Sequence, residues 1–274
     1  MLNREISQST MKNPVAEAFS RKSAVYDAFG QDHPNLTRMR QRVYDAITRQ
    51  VKQGGHLLEI NAGTGLDASQ LVKQGYTVHA TDLAPGMVKA IEQKIVNQQL
   101  DGRLSAQQLS FTDLDLAENG PFDGIYSNFG GLNCTQNLQE ITRHLPNLLR
   151  PNGIVVWVIM PPICPWELSL VFKDWRVATR RLRKNGIVAN VEGVDFHTWY
   201  FTPKQVIRMF GPRFECIGLE GLSVVTPSAD NKTFAVKHPV LFKKLVQLDE
   251  AISPHWPFNR LGDFFILTMR MRGS

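Results

Sequence analysis

Cysteine is scarce in this chain: Cys134, Cys164 and Cys216 are the only three among 274 residues. Their odd number and wide spacing argue against a disulfide framework and against a CxxC metal site, and they fit a reducing cytoplasm. Long apolar runs are missing too. Residues 1–10 lack the apolar stretch of a secretory signal. The longest run, 154–160, stops at Pro161-Pro162 and is too short to span a bilayer, so no integral membrane contact is expected. There is no internal repeat and no recognisable metal motif, and only the polar opening, residues 1–12, reads as unstructured. Nor is charge of one sign dominant. Thirty-one basic residues face 25 acidic ones, a net +6. That balance is compatible with an acidic substrate, a nucleic acid or an anionic membrane surface, and selects none of them. Oligomeric state leaves no signature.

What the chain does have is rhythm. Leu36, Met39, Val43 and Ile47 recur at helical spacing over 35–51, and Gly54-Gly55 ends that helix. From there short apolar strands are expected at 57–60, 76–80, 104–109, 122–128 and 154–160. Helices are expected between them at 67–73, 86–97 and 137–149, the last kinked at Pro146. Strands and helices alternating in this way indicate βαβ units and a parallel sheet covered on both faces. Beyond Met160 the pattern changes. A long basic amphipathic helix is expected over 166–183, with Leu168, Val171, Phe172 and Trp175 as its packed stripe and Arg176, Arg180, Arg181, Arg183 and Lys184 on a solvated face, or else placed to attract an acidic substrate or membrane headgroups. Strands at 214–222 and 264–271 would complete the sheet hairpin-fashion. Segments 161–194 and 227–259 are expected to wall the carboxyl edge of the strands, where open α/β sheets bind ligands.

The chemistry concentrates in Leu58-Glu59-Ile60-Asn61-Ala62-Gly63-Thr64-Gly65-Leu66-Asp67, a strand, a glycine turn and a helix start. Gly63 and Gly65 let the backbone approach a ligand closely, and the helix that follows offers free N–H groups and a positive dipole end. Asp82 closes the next strand, where its carboxylate can accept two hydrogen bonds from a ribose diol. These features describe an adenosine-type cofactor. The glycines also satisfy the dinucleotide pattern GxGxxG/A, so on their own they leave a nicotinamide cofactor open. A non-catalytic cofactor-binding module is a further alternative.

Taken in order, the segments resemble the class I S-adenosylmethionine-dependent methyltransferases. Residues 58–65 resemble the family's first motif, with Asn61-Ala62 in place of its commoner residues. Thr81-Asp82-Leu83-Ala84-Pro85-Gly86-Met87 resembles the ribose-binding segment. Ser110-Phe111 stands where the family places its adenine-edge loop, and Phe122 to Asn128 resembles the fourth strand. The resemblance covers roughly 19–160. It implies a Rossmann-like, doubly wound, seven-stranded and mostly parallel sheet in a single domain, 1–274. N-terminal lid helices would occupy about 19–52, a cofactor-binding core 53–160, and a substrate cap with the last strands 161–274, with cap insertions after strands five and six. The implied activity is methyl transfer from S-adenosylmethionine to a small-molecule acceptor. The implied cofactor contacts are Tyr26, Glu59, Asn61, Ala62, Gly63, Gly65, Asp82, Leu83, Met87, Ser110, Phe111, Ser127, Asn128 and Phe129. Residues 19–27 are similar to the segment that folds over the cofactor in quinone-type C-methyltransferases. Tyr26 is therefore a lid over the sulfonium, or else part of a helix that only packs on the sheet edge. His197 is the candidate general base, because an imidazole titrates near neutrality. A nucleic-acid substrate is not expected, since residues 127–130 lack the Asn/Asp-Pro-Pro-aromatic motif of base-amine methyltransferases.

Overall fold

The computed structural model describes residues 13–30 and 32–273; the opening segment expected to be unstructured, residues 1–12, lies outside them. Helix α1 (Pro14–Gly30) starts where the Asn13 side chain accepts from the Val15 and Ala16 N–H groups, with Pro14 in the first turn. Helix α2 (Pro34–Thr48) buries the periodic face of Leu36, Met39, Val43 and Ile47. The alternating core follows: β1 (His56–Ile60), α3 (Leu66–Lys73), β2 (Thr77–Asp82), α4 (Pro85–Asn97), β3 (Leu104–Gln108) and β4 (Phe122–Ser127). Next come α5 (Gln139–Thr142), α6 (Leu145–Leu148), β5 (Leu149–Ile159), α7 (Pro165–Leu168), α8 (Trp175–Thr179), β6 (Ile187–Val191) and β7 (Val194–Thr198). The chain finishes with α9 (Pro203–Phe210), β8 (Phe214–Leu222), α10 (Phe234–Lys237), α11 (Pro239–Ile252) and β9 (Phe264–Met271).

Seven strands form one sheet in the order β3-β2-β1-β4-β5-β9-β8. Only β9 runs against its neighbours, pairing antiparallel with β5 and with β8. The expected seven-stranded, mostly parallel architecture is the one observed. Its two faces carry separate cores, because successive strand residues alternate between them. Tyr126, Ile154, Val156 and Val158 face α2 and α3, while Ile125, Val155 and Trp157 face the α5, α6 and α9 side. The chain leaves β1 outward through β2 and β3, then crosses back to β4. The carboxyl ends of β1 and β4 therefore flank the switch point of the topology, where the crevice opens.

Local expectations fail in three places. The helix over 137–149 is two single turns, α5 and α6, since Pro146 cannot continue the first and instead opens the second. Strand β5 begins at Leu149 and carries Pro151-Asn152-Gly153 as an irregularity in its register with β4. The long basic helix over 166–183 is also broken. Asp174 accepts from the Arg176 and Val177 N–H groups and restarts the chain as α8, and the supposed core stripe of Val171, Phe172 and Trp175 is exposed. Conversely, Arg181, expected on a solvated face, is buried. It donates to Glu167 and to Asp263 at 2.6 Å each, while Arg180 also pairs with Glu167. Although burial opposes its charge, the two carboxylates hold the Arg181 pKa above its usual range. Cys164 joins Glu167 and Asp263 in a cluster of potential metal ligands, but the guanidinium already satisfies the carboxylates. The insertion 227–259 is present after β8 and packs at its carboxyl end, beside the start of α2. Asn35 donates to the Pro227 carbonyl at 2.6 Å and Arg38 pairs with Asp249 at 3.1 Å. Strands β6 and β7, joined through Glu192-Gly193 with both residues at positive φ, form a separate hairpin.

Candidate active site

At the carboxyl ends of β1, β2 and β4 lies a cavity of about 380 Å³, within the range of small-molecule sites. Its floor is the turn after β1. Gly63 stands there at φ +56°, and a Cβ on it would meet the Tyr26 ring at 3.7 Å. Asn61 adopts φ +58°, a left-handed conformation that asparagine tolerates better than most side chains. Its amide donates to Ser127 Oγ at 3.2 Å, and a Cβ on Gly131 would lie 2.6 Å from the Asn61 Cβ. The Asn61 side chain thus occupies space that the glycine at 131 leaves free.

Asp82 forms one wall. Its Oδ2 accepts from the Gly63 N–H at 2.8 Å and its Oδ1 from the Ala84 N–H at 2.9 Å, so the carboxylate braces both the glycine turn and the start of α4. Burial pushes its pKa up to about 6 despite these hydrogen bonds. Each oxygen keeps a lone pair for a further donor. Leu83 and Met87 continue this wall, and Ser110 and Phe111 line the cavity beside it, where the Leu109 N–H donates to the Asp82 carbonyl. Ser110 Oγ also caps the following 3-10 turn by accepting from the Thr112 N–H.

Asn128 and Phe129 close the β4 side. Phe129 sits at φ +47°, a costly conformation for a bulky residue, and it is held on two sides. The Arg40 guanidinium lies 4.7 Å over its ring, and Phe264 meets it edge-on at 5.6 Å. Arg40 in turn pairs with Asp67, which also accepts from Tyr44 at 2.5 Å and Asn128 at 3.1 Å. Sequence reasoning missed this buried Arg40–Asp67–Tyr44 support. Arg40 shares a helix face with Leu36, Val43 and Ile47, a signal that went unread, and Asp67 read only as a helix start.

The roof comes from two elements. Helix α1 brings Phe19 and Tyr26, and the β6–β7 hairpin brings Phe196 and Thr198, with the Phe19 and Phe196 rings 5.8 Å apart. α1 is fastened to the core where Asp27 bonds Thr64 and pairs with Lys94, and where Gly86 donates to Ser20 Oγ at 3.2 Å. A Cβ on Gly86 would come within 2.8 Å of the Ser20 carbonyl, so the glycine permits this close approach. Tyr26 therefore lines the cavity, and burial raises its phenol pKa to about 12.

Four expected contacts and the candidate base stand back from the cavity. Glu59 is buried behind the turn, where its carboxyl accepts from Tyr126 at 3.0 Å and burial keeps its pKa well above the carboxylate range. Ala62 donates its N–H to the Thr81 carbonyl. Gly65 caps α3 at φ +72°, with room for a Cβ only 3.0 Å from Ile91. Ser127 is fully buried beneath Asn61. His197 is exposed and stacks on Trp199, because alternation along β7 sends Phe196 and Thr198 inward instead. The pairing of β6 with β7 sets that parity, and it was missed because the Glu192-Gly193 turn went unread. Replacing His197 by Ala should leave turnover within about twofold of the parent in initial-rate measurements, and a hundredfold loss would restore it as a base.

Residues 57–153 match the family described as "Methyltransferase domain". A demethylmenaquinone methyltransferase of Corynebacterium glutamicum is 27% identical over 169 residues, 59% of this chain and 66% of that protein. This chain spans 60 to 66% of the length of the curated relatives it matches. Among solved structures, the CcbJ methyltransferase of Streptomyces caelestis superposes with a TM-score of 0.61 at 15% identity, covering 92% of this chain and 96% of that one. The Burkholderia thailandensis 1,6-didemethyltoxoflavin-N1-methyltransferase, solved with its substrate and S-adenosylhomocysteine, has a TM-score of 0.57 at 13% identity over 99% of this chain and 93% of that one. Residues 57–153 thus resemble the methyltransferase domain family, and the chain has the fold of the class I methyltransferases.

Proposed function

We propose that this protein transfers a methyl group from S-adenosylmethionine to a small acceptor with a largely apolar body. The observation that carries the reading is Asp82: a half-buried carboxylate at the end of β2, braced on the glycine turn and open to a diol, in a cavity of small-molecule size. The residues present fit the nucleotide. Asp82 would take the ribose, the Gly63 turn and Asn128 the amino-acid end, and Ser110-Phe111 the adenine edge. When bound, S-adenosylmethionine supplies an electrophilic methyl group on a sulfonium.

The protein's task is then orientation in a dry pocket, an effect worth roughly 7–11 kcal/mol of barrier when geometry is good. Phe19, Phe196 and Met160 exclude water on the side away from the nucleotide-binding strands. Among the described residues lining the cavity, the titratable side chains are Tyr26, Asp82 and Cys134. Burial lifts the Cys134 thiol, like the Tyr26 phenol, to about 12, so neither is a ready base at neutral pH. The acceptor therefore arrives already nucleophilic, and its proton leaves to solvent. Relatives named for demethylmenaquinone and didemethyltoxoflavin methylation support acceptors of this small, ring-containing kind over nucleic acid. The three unpaired cysteines support a reducing, cytoplasmic location.

Thermal-shift titration with S-adenosylhomocysteine against NAD(H) and NADP(H) tests the cofactor, since the glycine turn alone admits either. Stabilisation by the nicotinamide compounds alone would overturn the reading. pH provides a second check. The Asp82 pKa is raised, so its carboxylate protonates as pH falls through about 6. A protonated carboxyl cannot accept from both hydroxyls of a diol. Affinity for S-adenosylhomocysteine should hold from pH 8 to 7 and then weaken by about tenfold per pH unit below 6. A flat calorimetric profile from pH 8 to 5 contradicts this assignment.

A further inference from the structure

The broken segment after β5 and the last insertion meet outside the cavity. The Trp166 ring of α7 packs edge-on against Phe234 of α10 at 5.1 Å, which ties the start of the broken segment to the last insertion. This junction displays apolar side chains without partners. Phe172 is 101% exposed, Trp175 62%, Val236 68% and Val240 71%, and Leu241 and Leu248 of α11 are half exposed. Only Asp249 of α11 is fully buried. Single exposed apolar residues are ordinary, but a clustered set that includes Phe and Trp calls for an occupant.

The charge around the cluster names one. Lys232, Lys237, Lys243 and Lys244 fall in 231–248, a stretch with no acidic residue at all. Lys173, Arg176, Arg183 and Lys184 border the other side, and Asp174 there is engaged in capping α8. Among the described residues, none of these eight cations makes an ion pair. A second copy of the same face would oppose eight cations with few exposed acids, Asp230 and Glu250 at the ends of the stretch, to answer them. An interfacial surface of Phe and Trp tips among unpaired lysines matches acyl boundary and lipid phosphate instead.

We propose that this face docks the protein onto an anionic lipid bilayer surface. Phe172, Trp175, Val236 and Val240 enter the headgroup boundary, and Lys173, Arg176, Lys237, Lys243 and Lys244 meet the phosphates. The contact is peripheral, since no helix among the described residues is long and apolar enough to cross a membrane. The same segment continues into the β6–β7 hairpin that roofs the cavity, so docking would present the roof to apolar molecules held in the bilayer. This inference does not depend on methyl transfer.

Flotation of the full chain with vesicles provides the test. At low salt it should bind vesicles of phosphatidylcholine and phosphatidylglycerol in equal parts, and leave pure phosphatidylcholine unbound. Lys243→Gln with Lys244→Gln should weaken partitioning about 25-fold, roughly fivefold per lysine removed. Phe172→Ser with Trp175→Ser should weaken it at least about tenfold. Phe172→Ser alone, at a fully exposed position, serves should the double change fail to fold. Circular dichroism and the response to S-adenosylhomocysteine should stay as in the parent. Absence of binding, or binding indifferent to lipid charge and to both variants, overturns the proposal. So does a sedimenting dimer that Phe172→Ser dissociates without any vesicle binding, which would assign the face to a protein partner.

Discussion

Asp82→Asn should raise the dissociation constant of S-adenosylhomocysteine about 100-fold or more. The carboxylate accepts from Gly63 and Ala84 with one lone pair on each oxygen, leaving one on each for the two ribose hydroxyls. Hydrogen bonds to a charged group contribute about 1.5–3 kcal/mol each, and an amide removes the charge and one acceptor together. The amide N–H groups would also point at a backbone donor. The variant should stay folded, because burial already makes the charge of Asp82 unfavourable for folding at neutral pH. In linkage terms, a carboxyl with a raised folded pKa helps stability below its unfolded pKa and loses that help as pH rises through about 6. Neutralising it therefore relieves a cost at pH 7. Calorimetric titration beside a thermal melt separates the two effects. Unchanged affinity in a folded Asp82→Asn variant would remove Asp82 from the site.

The largest effect on stability is expected far from the cavity. Arg181→Ala leaves Glu167 and Asp263 facing each other in the interior with their principal partner gone. Breaking a buried pair from one side costs about 3–5 kcal/mol. For a chain of this size that corresponds to a fall of roughly 10 °C in Tm. The Arg181 guanidinium also lies 5.5 Å over the Tyr200 ring, so its loss loosens the connection from β7 to α9. Affinity for S-adenosylhomocysteine should change little, since none of these side chains lines the cavity. A melt within about 2 °C of the parent would show that water or a shifted Arg180 replaces the guanidinium.

The parts of the fold that could be read from the sequence are those where periodicity and burial agree. Strands β8 and β9 fall on the expected residues because their apolar runs are bounded by glycine and proline. The glycine turn, Asp82 and the segment after β4 converge because the doubly wound topology brings every parallel strand's carboxyl end to one edge. Long-range pairing was not legible. Nothing local to Arg181 announces that Glu167 and Asp263 will enclose it, so it read as one more charge on a basic helix. Asp174 was legible in principle, as a capping residue inside an otherwise helical pattern. His197 failed by one residue of strand parity, and a shift of one position turns every side chain to the other face. Glu59 failed differently. Its position before the turn was right, but the hydrogen bond from Tyr126 draws its carboxyl into the core behind the cavity floor.

The central claim is that the carboxyl edge of β1, β2 and β4 receives an S-adenosyl nucleotide beneath α1. Crystals grown with S-adenosylhomocysteine test it most directly. Density for the ribose within hydrogen-bonding distance of Asp82, and for the sulfur beside Tyr26, is the predicted result. A nucleotide bound elsewhere on the chain, or a cavity that stays free of it at saturating concentration, would contradict the account.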